Sequence, residues 1–340
     1  MKKIFFGILA IAAFAACSNE EQIAAPKGEA IAFGNAFVDN SVRAIDPSYG
    51  ATNKVDGVDV TNHITSFKVW GTVTANQDPV LIYPGVVYTK GNAIYGEAWT
   101  PAEGTPTQYW IPGATYNFVG IVDGDKIGVT ATTPVDGMPT AITYTADGET
   151  DLLCKKVQVL AGATNSIVGF TFGHLLSKVK FTVVNETHNV ENYKYTVTGV
   201  KVANAYNTGV YNVVSEAWGL LESTSGQEFD DVEAVAASTE CANEKLLLPL
   251  ENAVVVYTVN LYYVDGSNEK LISSVDYTTE DIQNFDLDFV AGKAYNMTLT
   301  VKVGGVIEFT ATALPTWDYT PGDTTIYPQP DTTPDSEENN

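Results

Sequence analysis

Three separated stretches of this chain alternate apolar and polar residues with a period of two, and no other feature restricts its fold so strongly. Phe67, Val69 and Val73 share one face of a run that also holds Lys68, Trp70 and Thr72. Val179, Phe181 and Val183 share a face, with Lys178, Lys180 and Thr182 on the other. Met297, Leu299, Val301 and Val303 alternate with Asn296, Thr298, Thr300 and Lys302. Successive side chains of a strand point to opposite faces, so strict alternation predicts antiparallel strands with one face buried and one in water. Val254 to Val264 is more continuously apolar and predicts a central strand. Asp-Gly pairs at 123–124, 147–148 and 265–266 supply the positive φ angles of tight hairpins. Helix is scarce, with a turn or two expected in Asp230 to Thr239 and in Glu280 to Phe285.

An all-β sandwich needs apolar mass, and the chain has it: 45% of its 340 residues are hydrophobic and 11% aromatic. That length exceeds one small sandwich, so two domains are expected, residues 30–172 and 173–317. A faint echo agrees. Gly113-Ala114-Thr115-Tyr116-Asn117-Phe118 resembles Gly292-Lys293-Ala294-Tyr295-Asn296-Met297, and Ser66-Phe67-Lys68-Val69 resembles Ser177-Lys178-Val179-Lys180. Residues 318–340 hold Pro321, Pro328, Pro330 and Pro334 among Asp, Thr and Glu and cannot build a core.

The start of the chain reads as an address. Lys2 and Lys3 precede an apolar run, Ile4 to Ala16, too short to span a bilayer as a permanent helix. Phe14-Ala15-Ala16-Cys17 then has the form of a lipobox, with Phe14 where leucine is usual. Residues 1–16 are thus expected to be a lipoprotein signal, Cys17 the lipidated first residue, and 17–29 a polar tether; an ordinary secretory signal is the alternative. The only membrane contact expected is through that lipid. Removing Lys2 and Lys3 with the leader leaves 16 basic residues against 41 acidic ones, a net charge of −25. Such a chain repels nucleic acid, whose binding requires clustered Lys and Arg.

No catalytic constellation is visible. His63, His174 and His188 stand apart, and no GxSxG elbow, HExxH pair or phosphate loop is present. Asp123 and Asp125 lack the further ligands of a calcium loop, and no CxxC spacing exists, so neither metal nor cofactor is expected. Cys154 and Cys241 are read as buried thiols, with an interdomain disulfide as the alternative. Trp70, Trp99, Tyr109 and Trp110 are read as core or interdomain packing, with a sugar-stacking platform as the alternative. That alternative would make the chain a surface glycan-binding lipoprotein.

With the lipobox start, the segments Ile64-Thr65-Ser66-Phe67-Lys68-Val69-Trp70-Gly71, Phe172-Gly173-His174-Leu175-Leu176-Ser177-Lys178-Val179-Lys180-Phe181 and Ala291-Gly292-Lys293-Ala294-Tyr295-Asn296-Met297-Thr298-Leu299 stand in order along the chain. Together they resemble the Bacteroidetes fimbrillins, of the major-fimbrillin and Mfa-like types. The resemblance implies two tandem transthyretin-like antiparallel β-sandwich domains and a pilus subunit at the outer membrane or cell surface. Ser18 to Gln22, polar and acidic, resembles the surface-export signal of lipoproteins from that group, and Asp323-Thr324-Thr325 and Asp331-Thr332-Thr333 resemble its O-glycosylation sequence. Implied partners are other fimbrial subunits, an arginine-specific protease, and ligands on host or bacterial surfaces. Arg43 is the one arginine of the chain. Cutting between Arg43 and Ala44 would release the lipid with the apolar stretch Ala30 to Val38, including Ile31, Phe33 and Phe37. A strand of the next subunit would then refill the vacated position. Ile307, Phe309 and Ala311 alternate inward in Val306 to Leu314, which is either the last domain strand or a donor. Stalk, tip and anchor positions all remain open.

Overall fold

The computed structural model describes residues 28–38, 54–55, 58–59, 64, 66–75, 78–89, 99–122, 129–132, 137–162, 167–186, 192–223, 226–234, 238–240, 244–282, 285–302 and 307–314. Among these the chain is nearly all strand, with one 3-10 turn at Thr279–Asp281. The first half holds β1 (Phe33–Val38), β2 (Lys54–Val55), β3 (Val58–Asp59), β4 (Ser66–Thr74), β5 (Val80–Thr89) and β6 (Thr100–Pro101). It continues through β7 (Thr115–Val122), β8 (Val129–Thr132), β9 (Ala141–Thr145), β10 (Leu153–Leu160) and β11 (Val168–His174). The second half opens with β12 (Ser177–Asn185), β13 (Tyr193–Val202), β14 (Tyr206–Asn212), β15 (Ala217–Ser223), β16 (Gln227–Glu228) and β17 (Val232–Ala234). It ends with β18 (Ser238–Glu240), β19 (Lys245–Leu247), β20 (Val255–Asp265), β21 (Asn268–Thr278), β22 (Ala294–Val301) and β23 (Ile307–Ala313).

Alternation divides the inward side chains between cores. Sheet I has the order β1-β11-β10-β7-β4-β5-β6. Along β7, Tyr116 and Phe118 enter one core while Val119 and Ile121 enter another. The first core is closed because β11 pairs with β10 only at Leu153–His174 and Cys154–Gly173 and then carries β1 over the face of the sheet. Phe170 and Phe172 of β11 lie so close to β7 that a Cβ on Gly120 would sit 3.0 Å from each ring. On the opposite face lies sheet II, β15-β14-β9-β8. Ile142, Tyr144, Tyr211 and Val213 meet Val119, Ile121 and Cys154 there, together with Leu175, Leu176 and Leu248. Sheets III (β18-β12-β22-β23, with β19 beside β12) and IV (β16-β13-β20-β21, with β17 beside β13) enclose the third core.

The hairpin β14–β15 belongs to the second half by sequence and to the first by hydrogen bonding, since β14 pairs with β9 from Thr208–Thr145 to Asn212–Ala141. Trp218 in that hairpin donates its indole N–H to the Leu175 carbonyl at 2.7 Å, on the connection between β11 and β12.

Several expectations meet detail the pattern did not contain. Two pairings are parallel, β1 with β11 and β12 with β22, so the sheets are mixed and not purely antiparallel. Lys180 and Thr182 are buried, not in water. β12 is central, and its outer face is covered as well, with Thr182 donating to Asn296 Oδ1 at 2.9 Å. In the run Asp230 to Thr239 the described residues include β17 and the start of β18, with no helical turn among them. Asp147-Gly148 forms a corner between sheets, not a hairpin: Asp147 Oδ1 accepts the backbone N–H of Glu149 and Thr150, at 2.9 and 2.7 Å. Gly266, at φ 60°, does turn the hairpin β20–β21. Of the two echoes, one is structural. Gly113 and Gly292 have φ of 81° and 73° before β7 and β22. The following Tyr116 and Tyr295 hydroxyls accept the N–H five residues back, from Ile111 at 2.8 Å and Val290 at 3.0 Å. The second fails in direction: β4 runs antiparallel to β7 while β12 runs parallel to β22.

Candidate strand-acceptor site

β1 occupies an edge with one laddered neighbour. Phe33 lies opposite Val168, Gly34 opposite Gly169, Phe37 opposite Thr171 and Val38 opposite Phe172, and the register slips between Gly34 and Phe37. Parallel ladders are slightly less stable per residue than antiparallel ones, and a bulge removes further bonds. Upstream, the segment is stitched to a loop of sheet I. The Ile31 N–H donates to Gln108 O at 2.9 Å, and the Trp110 N–H donates to Glu29 O at 3.0 Å. On the other side the Val168 N–H donates to Ala32 O at 2.9 Å.

The side chains do more. Ile31 is 7% exposed and Phe33 is 0% exposed. The Phe33 ring sits in a cage of Tyr83, Tyr88, Phe118 and Phe170, with centroids 5.4, 4.9, 5.3 and 5.7 Å away. Three of these contacts are edge-to-face, an arrangement the ring quadrupoles favour. Burial pushes the Tyr83 and Tyr88 hydroxyls above the usual tyrosine range, so the cage stays uncharged. Gly34 passes under Ile167, whose Cγ2 would be 2.7 Å from a Cβ at position 34. For Phe37 the backbone pairing alone is described. For most of β11 the described partner is β1. Taking β1 away would therefore leave unpaired N–H and C=O groups beside an aromatic-lined groove.

Elsewhere the singled-out residues prove to be structural or fall outside the described part. β23 pairs with β22 along its length and is an edge strand of sheet III. Phe309 stacks on Tyr257 at 5.8 Å and meets Phe285 edge-on at 5.5 Å, while Ile307 and Ala311 pack on the same core. The four aromatics weighed as a sugar platform are divided: Trp99 and Trp110 are buried in the first core, Trp70 packs against the second, and Tyr109 is exposed. His174 Nδ1 lies 2.5 Å from Asp151 Oδ2 at the end of β11, a pairing that ties the connection to the loop before β10. Burial pushes the Cys154 thiol up to about 12, so it is an inert core residue. Among the described residues no cluster able to hold a metal occurs. Residues 1–27, Cys17, Arg43, Ala44, His63, Asp123, Asp125, His188, Cys241 and 315–340 lie outside the described residues.

The lining of the groove, Tyr83, Tyr88, Phe118, Phe170 and Ile167, was not singled out from sequence. Its legible signal is the spacing Val168, Phe170, Phe172 in β11, three large residues on one face beside small Gly169 and Gly173.

Comparison with known proteins follows the same architecture. The family model described as fimbrillin-like matches residues 51–315, which begin downstream of β1. No curated protein sequence matches. A crystal structure of a fimbrial protein from Bacteroides vulgatus aligns with TM-score 0.52 at 12% identity, covering 84% of this chain and 99% of that one, and shares its fold. Two proteins assigned to cell adhesion also align, each with TM-score 0.47. The one from Bacteroides uniformis is 17% identical over 84% of this chain and 97% of its own. The one from Bacteroides ovatus is 16% identical over 85% and 96%.

Proposed function

This chain belongs to the fimbrillin-like family, and we propose that it is a fimbrial subunit exported as a lipoprotein and assembled by exchange of its first strand. The family is one of structural adhesion subunits and not of enzymes, and it puts the chain in a cell-surface fimbrium. In the proposed route Cys17 carries the lipid to the outer membrane. An arginine-specific protease cuts between Arg43 and Ala44, and the released segment takes Ile31, Phe33 and Phe37 with it. Residues 30–172 and 173–317 act as two sandwich modules, braced by β14–β15.

The observation that carries the reading is the seat of β1: an edge strand, parallel and bulged, anchored by Phe33 among rings borne by β5, β7 and β11. A strand held in this way is replaceable without dismantling the sheet behind it. Ile307, Phe309 and Ala311 serve the core of their own sandwich, which favours β23 as the last strand of that domain over a donor.

Arg43→Ala tests the route in cells. The variant is expected to stay in the membrane fraction at its uncut mass and to be missing from high-mass assemblies. Assembly of the uncut variant at wild-type levels would overturn the proposal.

A further inference from the structure

The groove under β1 is specific as well as apolar. We infer that it reads one side-chain pattern, a large aliphatic residue, any small or neutral residue, phenylalanine and then glycine, and that it takes this pattern from a different subunit in preference to the last strand of a second copy of this chain. The inference rests on the strand-exchange reading above.

Each position of the pattern has its own physical reader. The aliphatic position is Ile31, buried where the backbone is stitched on one side to Gln108 and on the other, through Ala32, to Val168. Those unlike flanks also fix polarity, since reversing the strand would exchange the two sets of partners. The aromatic position is Phe33 in its four-ring cage; a smaller residue leaves a void that rings on three other strands cannot collapse into. The glycine position is Gly34, where a Cβ would stand 2.7 Å from Ile167 Cγ2, so any side chain there makes Ile167 shift. Ile167, just before β11, is itself 52% exposed.

Among the described edge strands, β23 repeats the first and third positions, as Ile307-Glu308-Phe309. It departs at the other two. Glu308 would bring a carboxylate to the half-buried site of Ala32, and Thr310 would put a β-branched side chain under Ile167. In β23 itself both side chains are exposed, so its own sheet imposes neither limit. The last strand therefore suits the place it has and mismatches the groove of another copy.

The test uses the protein cut at Arg43 by an arginine-specific protease and freed of the N-terminal fragment, with synthetic peptides followed by tryptophan fluorescence. The peptide of residues 28–38 is expected to bind. Phe33→Ala in it weakens binding on the order of a hundredfold. Gly34→Val weakens it by about tenfold or more. A peptide of residues 305–314 binds at least about tenfold more weakly than the 28–38 peptide, and Glu308→Ala with Thr310→Gly recovers most of the difference. If the freed protein does not stay folded, the same ranking is read from displacement of the fragment still seated in the cut complex. Equal binding by all peptides would overturn the pattern and leave strand exchange standing. A folded, cut protein that neither binds the 28–38 peptide nor exchanges its fragment would overturn both.

Discussion

Replacing Phe33 by alanine in the intact chain asks whether the first strand is held by its ring cage. Deleting a buried phenylalanine costs about 3–5 kcal/mol when the surroundings cannot close the void. Here Phe33 is 0% exposed and touches four rings, which argues for the upper end. Its place on an edge argues for the lower end, because the loss cannot exceed the free energy with which β1 docks. We expect about 3 kcal/mol. With a urea slope of about 3 kcal/mol per molar for a chain of this length, the midpoint falls by about 1 M. Hydrogen exchange locates the damage. The amides of Val168, Ile31 and Trp110, bonded across β1 and the residues before it, lose protection before those of β12 and β22. Leu271→Ala, at a side chain 50% exposed on β21, is the control and changes stability by less than about 0.5 kcal/mol. A loss below about 1 kcal/mol for Phe33→Ala, with the Val168 amide still protected, would refute the cage as the anchor of β1.

The brace between the halves predicts that Trp218→Phe costs about 1–3 kcal/mol by urea melting, since it leaves the Leu175 carbonyl without its indole donor. Tyr116→Phe and Tyr295→Phe each remove the hydroxyl acceptor of one N–H, of Ile111 and of Val290, for about 1 kcal/mol apiece, and Tyr116→Phe also removes a donation to the Tyr109 carbonyl. Lying in separate cores, the two losses add in the double variant within about 0.5 kcal/mol. Burial, and after it Glu216, raises the Cys154 thiol to about 12, so the unfolded chain ionises first and stability falls as pH rises. The contribution is complete below the unfolded thiol value of about 8.5 and is lost above it at up to about 1.4 kcal/mol per pH unit. Urea midpoints at pH 8 and 9.5 should therefore diverge more in the parent than in Cys154→Ala.

The alternation of Val179, Phe181 and Val183 and of Met297, Leu299 and Val301 was legible because these strands have one face in the third core. The alternation stated the buried face and nothing about the neighbour. Hence the parallel pairing of β12 with β22 was invisible, as was the burial of Lys180 and Thr182 on the outer face. Trp99 and Trp110 read as packing residues, but the core they enter was not legible, because both lie outside the strands, where no alternation marks a buried face. The corner at Asp147-Gly148 carries the same dipeptide as the hairpin at Asp265-Gly266; the carboxylate's bonds to Glu149 and Thr150 and the bridge from Gly148 to Leu246 set it apart. The groove was half legible. Ile31 and Phe33 stood out as an apolar start, but the lining comes from β5, β7 and β11, brought together by a sheet that folds over itself.

The central claim is that the mature subunit in a fimbrium has lost β1. It is tested most directly by determining the N-terminus of the protein from native cells, in assembled and membrane fractions separately. The account predicts a start at Ala44 in the high-mass assemblies and a lipid-bearing Cys17 in the membrane-bound precursor. Assemblies whose subunits retain residues 30–38 would contradict it.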